Sequence, residues 1–76
     1  MRLSSVIKVT RQKAFMSQES FAKELGVSIS TINRWETGKS KPNLTAMKDL
    51  KDFCQNHSLS YEDIESEWFK EDLDKE

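Results

Sequence analysis

Five short helices around one small core, an all-α fold, are what this sequence predicts, and three observations predict it. Apolar residues recur at intervals of three and four through most of the chain, the spacing that lines one face of a helix. No Val/Ile/Thr-rich alternating run suggests a strand. Only two glycines and one proline interrupt the 76 residues, and they stand where helices would end. A chain of this length forms one domain with a marginal core, which favours tight packing and self-association.

Leu3, Val6, Ile7 and Thr10 set the first helix over residues 3–14, with Lys8, Arg11, Gln12 and Lys13 between them. Ala14, Phe15 and Met16 join it to the second, and Phe15 is expected to turn inward as a core staple. Ser17 offers a capping oxygen and Glu19 an acid in the first turn, so the second helix begins there. Phe21, Ala22 and Leu25 form its apolar face, and Gly26 ends it after two turns by accepting positive φ without a Cβ penalty. Ser28 caps a third helix, 28–37, whose inward pair is Ile32 and Trp35, with Val27 just before it. Gly38 suits the left-handed position after that helix, and Pro42 stops any continuation.

Asn43 caps a fourth helix with Leu44, Met47, Leu50 and Phe53 along one face, expected to be core, and Cys54 as a small buried neighbour. The polar run Gln55 to Ser58 reads as a connector, with His57 on its surface. Ser60 and Asp63 make a capping-box variant ahead of a fifth helix, from residue 61 into the low 70s. Tyr61, Ile64 and Trp68 share its inner face; Phe69 and Leu73 fall on a neighbouring stripe with no evident place in so small a core.

The net charge of −1 conceals a division: residues 1–51 carry ten Lys/Arg and four Asp/Glu, residues 52–76 two Lys and nine Asp/Glu. A near-neutral total would argue weakly against nucleic acid, but a basic body with an acidic tail does not. One cysteine and one histidine rule out a disulfide framework and make a metal site improbable. The start, MRLSSVIKV, is too brief for a signal peptide and no apolar run reaches membrane-spanning length, so a cytoplasmic protein without membrane contact is expected. Neither a glycine-rich phosphate loop nor a nucleophile pair occurs, and catalysis and cofactors are not expected.

On a wheel of about 100° per residue, Ser30, Arg34 and Thr37 lie opposite Ile32 and Trp35, with Ile29, Thr31 and Asn33 at the flanks. That outer face is short, polar and carries one long cation. The Arg34 guanidinium is a planar fork that fits the O6 and N7 edge of guanine, and small hydroxyl residues beside it allow close approach.

The stretch Ser17 to Pro42 resembles the helix-turn-helix of the phage repressor/Cro and Xre family of transcriptional regulators. The resemblance is carried by Gln18, by Ala22 where two helices meet, by Gly26 at the turn, by Phe21, Leu25, Val27, Ile32 and Trp35, and by the tail Glu36-Thr37-Gly38-Lys39. Phe15 departs from the family, where a glycine often stands at that corner.

The resemblance implies a compact five-helix, lambda-repressor-like DNA-binding domain with its helix-turn-helix core in residues 1–58 (motif 17–37) and an extended acidic C-terminal helix in 59–76. It implies a regulator, in the simplest case a repressor, that binds double-stranded DNA as a homodimer on an inverted repeat. Helix 28–37 would enter the major groove, with Ile29, Ser30, Asn33 and Arg34 on bases. Gln18, Ser28, Thr37, Lys39, Ser40 and Lys41 would hold phosphates, helped by backbone N–H groups of the loop. Arg11 is expected to form a structural ion pair with Glu36. Phe69 and Leu73 are candidates for a dimer or partner contact, and an antitoxin-like or regulatory protein-interaction module is the alternative reading.

Overall fold

Ser17, Ser28 and Asn43 each turn a side-chain oxygen onto the amide three residues ahead, at 3.1, 3.1 and 2.9 Å, and so decide where three helices begin. The computed structural model describes the backbone of residues 1–74 and the side chains of residues 1–71. Its elements are α1 (Leu3–Lys13), α2 (Gln18–Leu25), α3 (Ile29–Glu36), α4 (Leu44–Asn56) and α5 (Glu62–Asp74), with no strand among the described residues. Gly26 ends α2 at φ 70°, and a Cβ there would meet nothing within 4 Å, so the backbone angle alone selects glycine.

Every helix contributes at least one side chain that is fully enclosed: Ile7, Phe21, Ile32, Leu50 with Cys54, and Ile64 are all 0 % exposed. Each such burial favours the fold by about 1.5–3 kcal/mol. Phe21 of α2 meets Phe53 of α4 edge to face at 4.9 Å, the centre of the core. The buried hydroxyl of Thr10 donates to the Val6 carbonyl at 2.8 Å, so its polarity is satisfied within α1.

α5 packs on α1 through Ile64 and is pinned to α4 and to the loop before it by two hydrogen bonds. The Tyr61 hydroxyl donates to the Met47 carbonyl at 3.0 Å, and the Trp68 indole Nε1–H donates to the Pro42 carbonyl at 2.7 Å. Burial, with the nearby Glu65 and Cys54, pushes the Tyr61 phenol above its ordinary value, which keeps it a neutral donor.

Three side chains sit differently from expectation. Phe15 is not a staple: it is 97 % exposed, and its φ of 57° explains why glycine suits this corner. Leu44 is 71 % exposed because it opens α4 one position off the inner stripe, which runs through Ala46, Met47, Leu50, Phe53 and Cys54. His57 closes α4 rather than lying in a free connector; its ring stacks on Phe53 at 4.3 Å and Nε2 meets Glu24 Oε2 of α2 at 2.7 Å.

Candidate nucleic-acid interface

α2 and α3 are joined by three residues, Gly26, Val27 and Ser28, and pack directly on one another. The left-handed Gly26 makes the corner, half-buried Val27 drops onto the core, and Ser28 starts the next helix at once. A turn this short leaves α3 one orientation. Ile32 and Trp35 anchor its inner side, at 0 and 5 % exposure.

The far end of α3 is clamped by charge. Arg11 of α1 donates from Nε to Glu36 Oε2 at 2.7 Å and from Nη2 to Glu36 Oε1 at 3.0 Å, while its Nη1 donates to the Met16 carbonyl at 2.9 Å. The Gln18 amide at the start of α2 adds a donor to Glu36 Oε1 at 3.1 Å. One carboxylate therefore gathers the ends of three helices. The pair is nearly enclosed, and the hydrogen bond to Glu36 raises the Arg11 pKa further above its ordinary value, so the guanidinium stays charged.

What this anchoring leaves outside is a contiguous polar strip. Ser30, Asn33 and Arg34 are exposed on α3, and Ile29 is 47 % exposed at its entry edge. Beside it runs the loop after α3, where Gly38 takes φ 78° and Lys39 is exposed while Ser40 and Lys41 are half-buried.

The donor inventory corrects part of the phosphate-binding expectation. The Lys39 and Ser40 amides both donate to the Arg34 carbonyl, at 2.9 and 3.3 Å, and the Gly38 amide donates to Trp35. These N–H groups finish α3 and do not face outward. Without DNA, the exposed Thr37 hydroxyl donates to the Asn33 carbonyl at 2.8 Å. Ser28 keeps a free choice, because its oxygen accepts from the Thr31 amide and shares a 2.9 Å contact with the Thr31 hydroxyl in which either atom can donate.

Sequence reasoning missed the support behind this loop. Trp68 lies under Lys41, whose Nζ stands 4.5 Å from the ring centroid, and binds the Pro42 carbonyl 26 positions away in the chain. Arg2, Glu67 and Glu71 line the same surface hollow as Gly38, Lys39, Ser40 and Lys41. No local spacing signals contacts of that span. Phe69 is 55 % exposed and meets Trp68 edge to face at 5.1 Å, while the side chain of Leu73 lies outside the described residues. Among the described residues no His/Cys/Asp/Glu group is placed to hold a metal ion, and no helix is long and apolar enough to cross a membrane.

Two helices at a short glycine corner, the second anchored at both ends with a polar face outward, define a helix-turn-helix DNA-binding domain. The helix-turn-helix family model matches residues 7–61, and the chain belongs to this Xre/Cro-like family of DNA-binding transcription regulators. It is also 39 % identical over 54 residues to the type II methyltransferase M.SsoII of Shigella sonnei. That match covers 67 % of this chain but only 14 % of the methyltransferase. No solved structure matches significantly.

Proposed function

We propose that this regulator is a repressor that binds an inverted repeat as a homodimer, with α3 in the major groove of each half-site. Arg34 and Asn33 read base edges by hydrogen bonds, Ser30 allows close approach, and Ile29 packs on a thymine methyl. Lys39, Ser40, Lys41 and Ser28 register the protein on phosphates, together with the second amide N–H of Gln18. The observation that carries this reading is the strip Ile29, Ser30, Asn33 and Arg34, exposed on a helix that Trp35 and Glu36 hold rigidly from behind.

The chain is read as non-catalytic, because the segment it shares with the methyltransferase is 14 % of that protein, an accessory share. Dimer contact is assigned to the apolar groove between α4 and α5, where Leu44 and Phe69 are exposed. Lys48 and Lys51 stand on one bank and Glu65 on the other, so a second copy related by a two-fold axis along the groove sets lysine against glutamate. The exposed Phe69 equally suits the second reading, in which a different protein covers this face. Sedimentation of the wild type and of Leu44→Glu separates them: a dimer that the substitution splits supports self-association, and a monomeric wild type even on DNA assigns the groove to another partner.

Selection of bound duplexes from a random library, with wild type and Arg34→Ala in parallel, tests the main reading. An enriched inverted repeat, blurred at one position per half-site by the substitution, is expected, with specific binding weakened by about 1–3 kcal/mol. Equal loss on selected and random DNA would make Arg34 a phosphate contact instead.

A further inference from the structure

We infer that α5 carries a built-in competitor for DNA phosphate: Glu67 and Glu71 oppose, across a shared hollow, the attraction that Arg2, Lys39 and Lys41 exert on the DNA backbone. The inference rests on the reading of the loop after α3 as a phosphate contact.

The two carboxylates stand four residues apart and so share one face of α5. Both line the hollow that Arg2, Lys39, Ser40 and Lys41 line from the other side. Its volume is about 470 Å³, many times the ~30 Å³ share of one water, so a hydrated phosphate can enter. A phosphate placed there meets cations and carboxylates together, because both line the same hollow.

The acidic face is tied to the loop: Trp68, adjacent to Glu67, is bonded to the Pro42 carbonyl at 2.7 Å and lies under Lys41 at 4.5 Å. Lys70 pairs with Glu67 at 3.2 Å but is 65 % exposed, and a pair open to water on that side neutralises little. Glu67 itself is only 19 % exposed, which keeps its charge at the hollow instead of in bulk solvent.

The consequence is a regulator whose sequence-independent hold on DNA is turned down by its own fold. Phosphate attraction supplies essentially all non-specific binding. Carboxylates fixed beside the lysines weaken that hold and lower the number of condensed cations that binding releases from the DNA. Base readout by α3 uses the neighbouring strip of Ile29, Ser30, Asn33 and Arg34, which the hollow does not include, and is left unchanged.

The test measures binding by fluorescence anisotropy, over a series of salt concentrations, to a labelled random duplex and to a selected site. It compares wild type, Glu67→Gln/Glu71→Gln, and Glu62→Gln/Asp63→Asn, which removes the same charge from the first turn of α5, outside both the hollow and the groove assigned to the dimer. The first double variant should tighten both duplexes about 3- to 10-fold and steepen the salt slope by about one. The second should gain less than half as much, with melting curves showing all three folded. Equal gains would reduce the effect to net charge, and no gain from the first pair would overturn the inference. A wild type that binds without salt dependence would remove the loop from the backbone, and the reading beneath the inference would fall with it.

Discussion

Arg11 and Glu36, 25 residues apart, face each other as two parallel hydrogen bonds of 2.7 and 3.0 Å, with only 13 and 3 % of their side chains exposed. A planar fork against a carboxylate is the strongest ion-pair geometry available to side chains. Here it ties α1 to the last residue of α3 and, through Gln18, to the first of α2. Because Glu36 is almost enclosed, removing Arg11 leaves a buried carboxylate without its cation. Arg11→Ala should cost about 3–5 kcal/mol, and Arg11→Lys, which keeps charge but loses the fork, a smaller part of this. Urea unfolding of the two variants checks it; a loss below about 1 kcal/mol for Arg11→Ala would place the pair among water-screened ones.

On the proposed reading Lys41 meets the DNA backbone and not a base. Lys41→Ala should therefore weaken selected and random duplexes alike and flatten the salt dependence by about one in slope. The readout is the plot of log affinity against log salt, and an unchanged slope would take Lys41 out of the interface.

Phe15 holds a left-handed backbone with its ring in water. A non-glycine residue in that region carries about 1–2 kcal/mol of strain, against about 0.5–1 kcal/mol of extra chain entropy for glycine. Phe15→Gly should leave stability unchanged or raise it by up to about 1 kcal/mol in thermal or urea unfolding. Destabilisation would mean that the ring contributes contacts to the fold after all.

Burial pushes the Cys54 thiol up, so the folded protein holds that proton more tightly than the unfolded chain does. Stability from this group is complete below the unfolded thiol pKa of about 8.5 and is lost as pH climbs through the raised folded value. The phenol of Tyr61, also raised, adds a fall in the same direction from about pH 10. In Cys54→Ala the decline in unfolding free energy between about pH 8.5 and 10 should be shallower, whatever the cost of the substitution at neutral pH. Parallel curves would show that the thiol does not carry the alkaline loss.

How much was legible in the chain follows the range of each interaction. The capping oxygens of Ser17, Ser28 and Asn43 act over three residues, and the inward stripes repeat every three or four, so the helices and their buried faces were written locally. The outward strip of α3 was readable for the same reason, as the complement of Ile32 and Trp35. Phe15 and Leu44 were misjudged because an apolar residue at an element's edge has no period to place it. The outward role imagined for the amides of Lys39 and Ser40 failed because the Arg34 carbonyl takes both.

By itself the sequence determined five helices, one small core and a helix-turn-helix with Arg34 on its open face. Only the tertiary structure decided that α5 folds back to set Trp68 under Lys41, and Glu67 and Glu71 beside the loop that the lysines occupy. Side-chain spacing encodes a face of a helix, but which faces meet across 26 residues depends on packing angles that no local pattern contains.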